Sequence, residues 1–221
     1  MTQARGFWDL LTEAEAADLR HGGRTRRWRR GEVVFREAER SDWVMVLLAG
    51  RVKVSSYTDT GTEVVLGVRE PGALLGELSA IDREPRSATV TALDEVTALV
   101  VPLPEFERYL AAHGRVAILL MRTVTGKLRD ADRKRIEFGT VDITARVAAR
   151  LVELADRFGE PTAGGIRISM PLSQDELAGW TGASREAVSK ALGVLRTQGW
   201  IETSRLRVVI RDLDALRARA G

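Results

Sequence analysis

Two short stretches carry residues that could do chemistry. In GELSAIDREPRSATV, residues 76–90, one acid (Glu77) and an arginine followed by a serine (Arg86, Ser87) stand inside a segment that otherwise reads as β. Gly76 opens a turn too short for an ordinary helix, and Pro85 stops any helix from continuing. An arginine buried beside the start of such a turn is a strong site for a singly charged phosphate. The other reading of the same residues is a structural ion pair, Arg86–Glu77 or Arg86–Asp82.

The second stretch is LSQDELAGWTGASREAVSKAL, residues 172–192. Ser173 and Glu176 have the spacing of a capping box, Thr181-Gly182 makes a tight bend, and Ser184 can cap a second helix. On that helix Val188, Leu192 and Leu195 form one apolar face, while Arg185, Glu186, Ser189 and Lys190 lie off it near the N-terminal end. Two short helices joined at a glycine are the helix-turn-helix plan, in which the second helix puts its N-terminal residues into the major groove. Arg185 can chelate guanine O6 and N7, Glu186 can accept from cytosine N4, and Lys190 can reach a guanine or a phosphate. The capped ends at Ser173 and Ser184 can offer backbone amides to phosphates. A capped helical hairpin with ordinary solvated charges is the alternative. Trp180 and Trp200 read as core residues.

These groups need elements to hold them. Residues 7–20 have helical spacing, with Thr12 and Glu15 as a second capping box. After the basic stretch RTRRWRRGE come short β-branched runs at 33–35, 43–57, 62–68, 87–93 and 96–102, parted by turns such as Gly50 and Asp59-Thr60-Gly61. That is the pattern of an antiparallel sandwich or barrel. A short helix over 104–112 and a long one from about Arg115 to Phe138 follow. On the long helix Val116, Leu120, Val124 and Leu128 recur every four residues. This stripe either buries against its own domain or forms a seam with a second copy. Gly139 and Thr140 break the helix, and Asp142 or Thr144 starts the next one. The strands IRISM and RLRVVIR would supply a wing, with Arg205 and Arg207 near the DNA backbone.

Composition removes whole classes. The 221 residues contain no cysteine and two histidines, His21 and His113, so disulfides, thiol catalysis, cysteine zinc sites and iron–sulfur clusters are out. No nucleophile–base pair or metal set points to an enzyme. No apolar run approaches the ~20 residues a membrane helix needs, and the N-terminus has acids where a signal peptide has a basic region. A cytoplasmic location is expected. The net charge of +3 comes from an arginine surplus, which permits an anionic partner or simply a solvated surface.

Taken together, the order of β-domain, long helix and helix-turn-helix resembles the cyclic-AMP receptor protein / fumarate–nitrate regulator (CRP/FNR) superfamily of bacterial transcription factors. GELSAIDREPRSATV and LSQDELAGWTGASREAVSKAL carry the resemblance, which covers almost the whole chain. It implies an α+β chain. Residues 1–112 would form an antiparallel β-roll of the cyclic-nucleotide-binding, double-stranded β-helix type. Residues 113–139 would form a dimerisation helix and hinge, and residues 140–221 a winged helix-turn-helix.

The resemblance makes the first motif a phosphate-binding cassette, with Glu77 accepting from a ribose 2′-OH and Arg86 pairing with a cyclic phosphate. Ser87 and the backbone around Gly76 and Ser79 would donate to phosphate oxygens, with Leu66 and Leu78 lining the site. Where cyclic-AMP binders place threonine and serine or asparagine against adenine, this chain has Ala131 and Asp132. Asp132 could accept from the adenine amino group across a dimer. Cyclic AMP is the first effector implied, with another nucleotide or none as alternatives. Haem and metal are not expected. The DNA contacts implied are Ser173, Gln174, Ser184, Arg185, Glu186, Ser189 and Lys190, made by a homodimer on a pseudo-palindromic operator, with RNA polymerase as a further partner. The rival readings are a constitutive regulator with a vestigial cassette, and a nucleotide-binding module whose helical tail docks protein.

Overall fold

The computed structural model describes residues 6–58, 61, 63–170 and 172–221, and of 133–140 the backbone only. It divides into two compact units, 1–56 with 66–130 and 57–65 with 131–221.

After a 3-10 turn at Trp8–Leu10, α1 (Glu13–His21) opens the chain. Eight strands follow: β1 (Arg24–Trp28), β2 (Val33–Phe35), β3 (Trp43–Ala49), β4 (Val52–Tyr57), β5 (Glu63–Arg69), β6 (Leu74–Leu75), β7 (Thr89–Ala92) and β8 (Val96–Pro102). A single short helix, α2 (Glu77–Asp82), interrupts them, and α3 (Leu103–Ala112) and α4 (Gly114–Thr140) come after. The strands form two antiparallel four-stranded sheets, ordered β1-β8-β3-β6 and β2-β7-β4-β5.

Alternation along β3 shows where the core lies. Met45 and Leu47 point into one cluster with Phe35, Val52 and Val90 from the other sheet. Val44 and Val46 point the opposite way, into a second cluster with Leu19, Phe106, Tyr109, Val116 and Leu120 from α1, α3 and α4. A strand covered on both faces needs an uninterrupted apolar run, which is why WVMVLLA shows no polar alternation.

Several local readings change here. The capping box of Thr12 and Glu15 is present, but α1 begins at Glu13 and residues 8–10 form a separate 3-10 turn. The basic stretch is itself a strand, β1, at the edge of its sheet. The turn at Asp59-Thr60 lies outside the described residues. The long helix runs on through Gly139 to Thr140, two residues past the expected end, because glycine weakens a helix without stopping it.

In the second unit α5 (Ile143–Phe158) starts at Asp142, whose carboxylate accepts from the amides of Thr144 and Ala145 at 2.9 and 3.1 Å. Next come β9 (Gly159–Thr162), β10 (Gly165–Ile168), α6 (Gln174–Thr181), α7 (Arg185–Thr197), β11 (Ile201–Ser204), β12 (Arg207–Ile210) and α8 (Leu213–Ala220). The four strands form one sheet, ordered β11-β12-β10-β9. Leu151, Leu177, Val188, Leu195, Ile210 and Leu216 are buried in this unit, each worth about 1.5–3 kcal/mol of transfer free energy. Trp180 is buried and Trp200 half-buried.

Candidate functional site: a phosphate cassette and a groove-reading helix

The cassette is built from the turn between β6 and α2 and from the segment entering β7. Gly76 has φ 82°, and a side chain there would run into the Arg86 guanidinium, so backbone and sterics both require glycine. Arg86 is 2% exposed. Its Nη1 donates to the Gly76 carbonyl at 3.0 Å, and its Nη2 to the Ser41 hydroxyl and to the Trp43 carbonyl at 2.6 Å. The guanidinium also lies 4.3 Å from the Phe35 ring centroid and 4.9 Å from that of Trp43. Neither the Arg86–Glu77 nor the Arg86–Asp82 pair forms among the described residues. The cation sits on neutral acceptors instead, and its buried Nε has no partner. Burial lowers the Arg86 pKa to about 10, against the pull of Glu77, Asp42 and Glu39 in the other direction, so the group stays charged at neutral pH.

Glu77, 3% exposed, accepts from Lys127 Nζ at 2.7 Å. Lys127 belongs to α4, so the long helix reaches the cassette through this ion pair. Sequence reasoning missed Lys127, although helix geometry contains the signal. A strict four-residue repeat drifts by about 40° per step, so Leu128 stands about 120° away from Val116, whereas position 127 returns to within about 20° of it. Accordingly Val116 and Leu120 are buried, Val124 packs against the same cluster, and Leu128 is 60% exposed. Of the other expected ligand residues, Ser79 is buried, Gly76 and Leu78 are half-buried, Ser87 and Leu66 are exposed, and Asp132 is exposed on α4. Phe35 from β2, Trp43 from β3 and Ser41 from the segment between them join the cassette from positions far from it in sequence.

In the second unit the Ser173 hydroxyl accepts from the Glu176 amide at 3.1 Å, and Glu176 accepts from the Ser173 amide at 2.9 Å. Gly182, with φ 59°, closes α6 in the left-handed conformation, and the Ser184 hydroxyl caps α7 by accepting from Ala187 N. Val188, Leu192 and Leu195 are buried, which turns Ser184, Arg185, Glu186 and Lys190 to solvent, with Ser189 half-buried beside them. Gln174 is exposed and Ser173 half-buried at the start of α6. Arg185 Nε lies 3.7 Å from the Asp175 carboxylate. The Glu186 carboxyl is held below the usual range by its own backbone amide and the Ser184 hydroxyl.

Comparison with known proteins agrees with both halves. The family described as "Cyclic nucleotide-binding domain" matches residues 25–113, and the family described as "Crp-like helix-turn-helix domain" matches residues 145–219. A "CRP-like cAMP-activated global transcriptional regulator" of Mycobacterium tuberculosis is 34% identical over 191 residues, 86% of this chain and 85% of that protein. The chain belongs to the CRP/FNR superfamily. It is a transcription regulator of that type, with a cyclic-nucleotide-binding domain and a DNA-binding helix-turn-helix. The "Transcriptional activator protein FnrA" of Stutzerimonas stutzeri is 26% identical over 198 residues, covering 90% of this chain and 81% of that one. In fold, the c-di-GMP-responsive regulator CLP of Xanthomonas campestris superposes with a TM-score of 0.82 over 90% of this chain and 99% of its own, at 20% identity. Among the described residues no helix is long and apolar enough to cross a membrane, and no three His, Cys, Asp or Glu side chains gather as a metal site.

Proposed function

We propose that this CRP/FNR regulator binds a cyclic nucleotide in the cassette and uses it to set the DNA-binding state of a homodimer. The observation that carries the reading is Arg86. It is a buried, desolvated cation with no carboxylate in ion-pair range among the described residues and an Nε lacking an acceptor. Such a group is costly to bury, and an anionic phosphate placed against it supplies the missing counter-charge and hydrogen bond. Arg86 and Ser87 hold the cyclic phosphate, and Glu77 accepts from the ribose 2′-OH. Gly76, Leu78, Ser79 and Leu66 line the pocket. Cyclic AMP is the first effector to test, supported by the cAMP-activated relative.

The dimer is supported by a second stripe on α4. Ile118, Met121 and Leu128 are 47, 59 and 60% exposed, and with Thr125 and Asp132 they follow the 3-4-3-4 spacing of a coiled-coil seam. Two copies joined there put Asp132 on the seam, where it can accept from a base amino group. A two-fold protein then reads a pseudo-palindromic operator. Arg185 and Glu186 contact base edges, Lys190 and Ser189 support them, and Ser173, Gln174 and Ser184 hold phosphates. The nucleotide acts as a switch through unequal affinity for two arrangements of the helices. RNA polymerase is the further partner of such a regulator, which works in the cytoplasm and catalyses nothing.

One observation favours a constitutive reading. Arg86 already has protein acceptors for both Nη atoms, and Glu77 already has Lys127. Titration calorimetry with cyclic AMP and cyclic GMP, paired with DNA-binding anisotropy in the presence and absence of each, separates the two. The switch reading expects a nucleotide that binds wild type and changes its DNA affinity, with both effects lost in Arg86→Leu. Unchanged DNA affinity with every nucleotide supports the constitutive regulator.

A further inference from the structure

The tip of the wing is built against the interest of the free protein. Ser204 pairs with Arg207, so β11 and β12 are joined by Arg205 and Leu206 alone. Leu206 has φ 57° at the second of these positions, where a tight turn of this geometry favours glycine or asparagine. Its side chain is nevertheless large, apolar and 47% exposed, and it stands between two exposed arginines. Among the described residues neither Arg205 nor Arg207 makes an ion pair. Strain and exposed apolar surface at one residue are a combination found where a complex compensates for both.

The tip is also held in place. The Leu172 amide donates to the Leu206 carbonyl at 3.1 Å, which fastens the turn beside Ser173 at the start of α6. Arg196 Nη1 donates to the Thr203 hydroxyl at 3.0 Å, which fastens β11 to the last turn of α7. The patch is therefore continuous with the helix-turn-helix surface and carries its charge.

We propose that Arg205-Leu206-Arg207 is a minor-groove reader, in which Leu206 is an apolar wedge against a base step next to the half-site and the arginines occupy the groove around it. An apolar side chain flanked by arginines suits that environment. The narrow minor groove concentrates negative potential, and a wedge partly unstacks a flexible step. The result is sequence preference at base pairs that α7 does not touch. The inference rests on α7 being the groove-reading helix.

The test is selection of duplexes from a random pool by the full chain, followed by anisotropy on the selected sequence. A companion duplex carries 2-aminopurine at the flanking step. Wild type is expected to select bases both inside and outside the half-site and to raise 2-aminopurine fluorescence. Leu206→Gly relieves the strain, so it should melt no lower than wild type. It should keep the half-site, lose the flanking preference, bind the selected duplex several-fold more weakly and leave 2-aminopurine dark. Leu206→Asn, which also tolerates the turn, should behave like Leu206→Gly. Arg185→Ala should do the reverse and lose preference inside the half-site. If Leu206→Gly selects the same duplex with unchanged affinity, the wedge is overturned and the tip faces a protein partner or solvent. If Arg185→Ala keeps the half-site, the groove-reading role of α7 falls instead.

Discussion

The cassette and the first turn of α7 each carry an arginine, yet the two are built in opposite ways. Arg86 is 2% exposed, packed against the edge-to-face pair Phe35 and Trp43, and bonded to the carbonyls of Gly76 and of Trp43 on the distant β3. Arg185 is exposed, with the solvated Asp175 carboxylate 3.7 Å from its Nε. A small ligand offers few atoms, so its site must remove water and supply counter-charge from all sides before binding is strong. DNA brings a long, strongly charged surface, so its reader needs only side chains held at the right end of a rigid helix. The first kind of site is therefore welded to stability, and the second is nearly independent of it.

That contrast can be broken by mutation. The largest effect is expected at the cassette. Lys127→Met strands the buried Glu77 carboxylate and should cost about 3 kcal/mol of unfolding free energy in denaturant melts. Lys127→Met with Glu77→Gln should recover part of that loss, because the unpaired charge is gone. A loss below about 0.5 kcal/mol for the single variant would mean the pair is only a surface contact.

Next in size, Arg185→Ala should weaken operator binding by about 2 kcal/mol, some thirtyfold, with little change on random DNA. Its stability should stay within about 0.5 kcal/mol of wild type. A drop in melting temperature comparable to that of Lys127→Met would erase the distinction between the two sites.

Asp142→Ala tests the element that carries the DNA-binding unit. It removes a cap accepting two amides and an ion pair with Arg219, and should cost about 1 kcal/mol.

The smallest expected effect is a pH dependence in the N-terminal unit. The Arg115 guanidinium, hydrogen-bonded to the Glu15 carboxylate, lowers the Glu15 pKa to about 2. A depressed acid stabilises the fold fully above its unfolded pKa, so this contribution should fade as pH drops from about 4.5 towards 2. Glu15→Gln should flatten that part of the acid melting profile, and an unchanged profile would assign acid sensitivity to other groups.

Much of this was legible from residue order. Capping boxes at Thr12 and Ser173, the glycine bend at Gly182 and the apolar face of α7 are local devices, complete within a few residues, and the structure reproduces them. The cassette was legible only as types in a row. Ser41, Phe35, Trp43 and Lys127 join it from elsewhere in the chain, and no spacing within residues 76–90 announces them. The α4 stripe was misread because a four-residue repeat was followed further than a 3.6-residue helix allows. The face it described is real only from Val116 to Val124, after which it passes to Lys127 on one side while Leu128 turns outward.

By itself, then, the sequence determined the two modules, their order, the caps at Thr12, Ser173 and Ser184, and the polar side chains that α7 turns to solvent. Each of these depends on neighbours within about one helical turn or on strand alternation. Tertiary structure alone decided what surrounds Arg86, which long-helix residue meets Glu77, and that β3 is covered on both faces. Desolvation and ion pairing depend on which distant groups share a small volume, and only the folded chain brings those groups together.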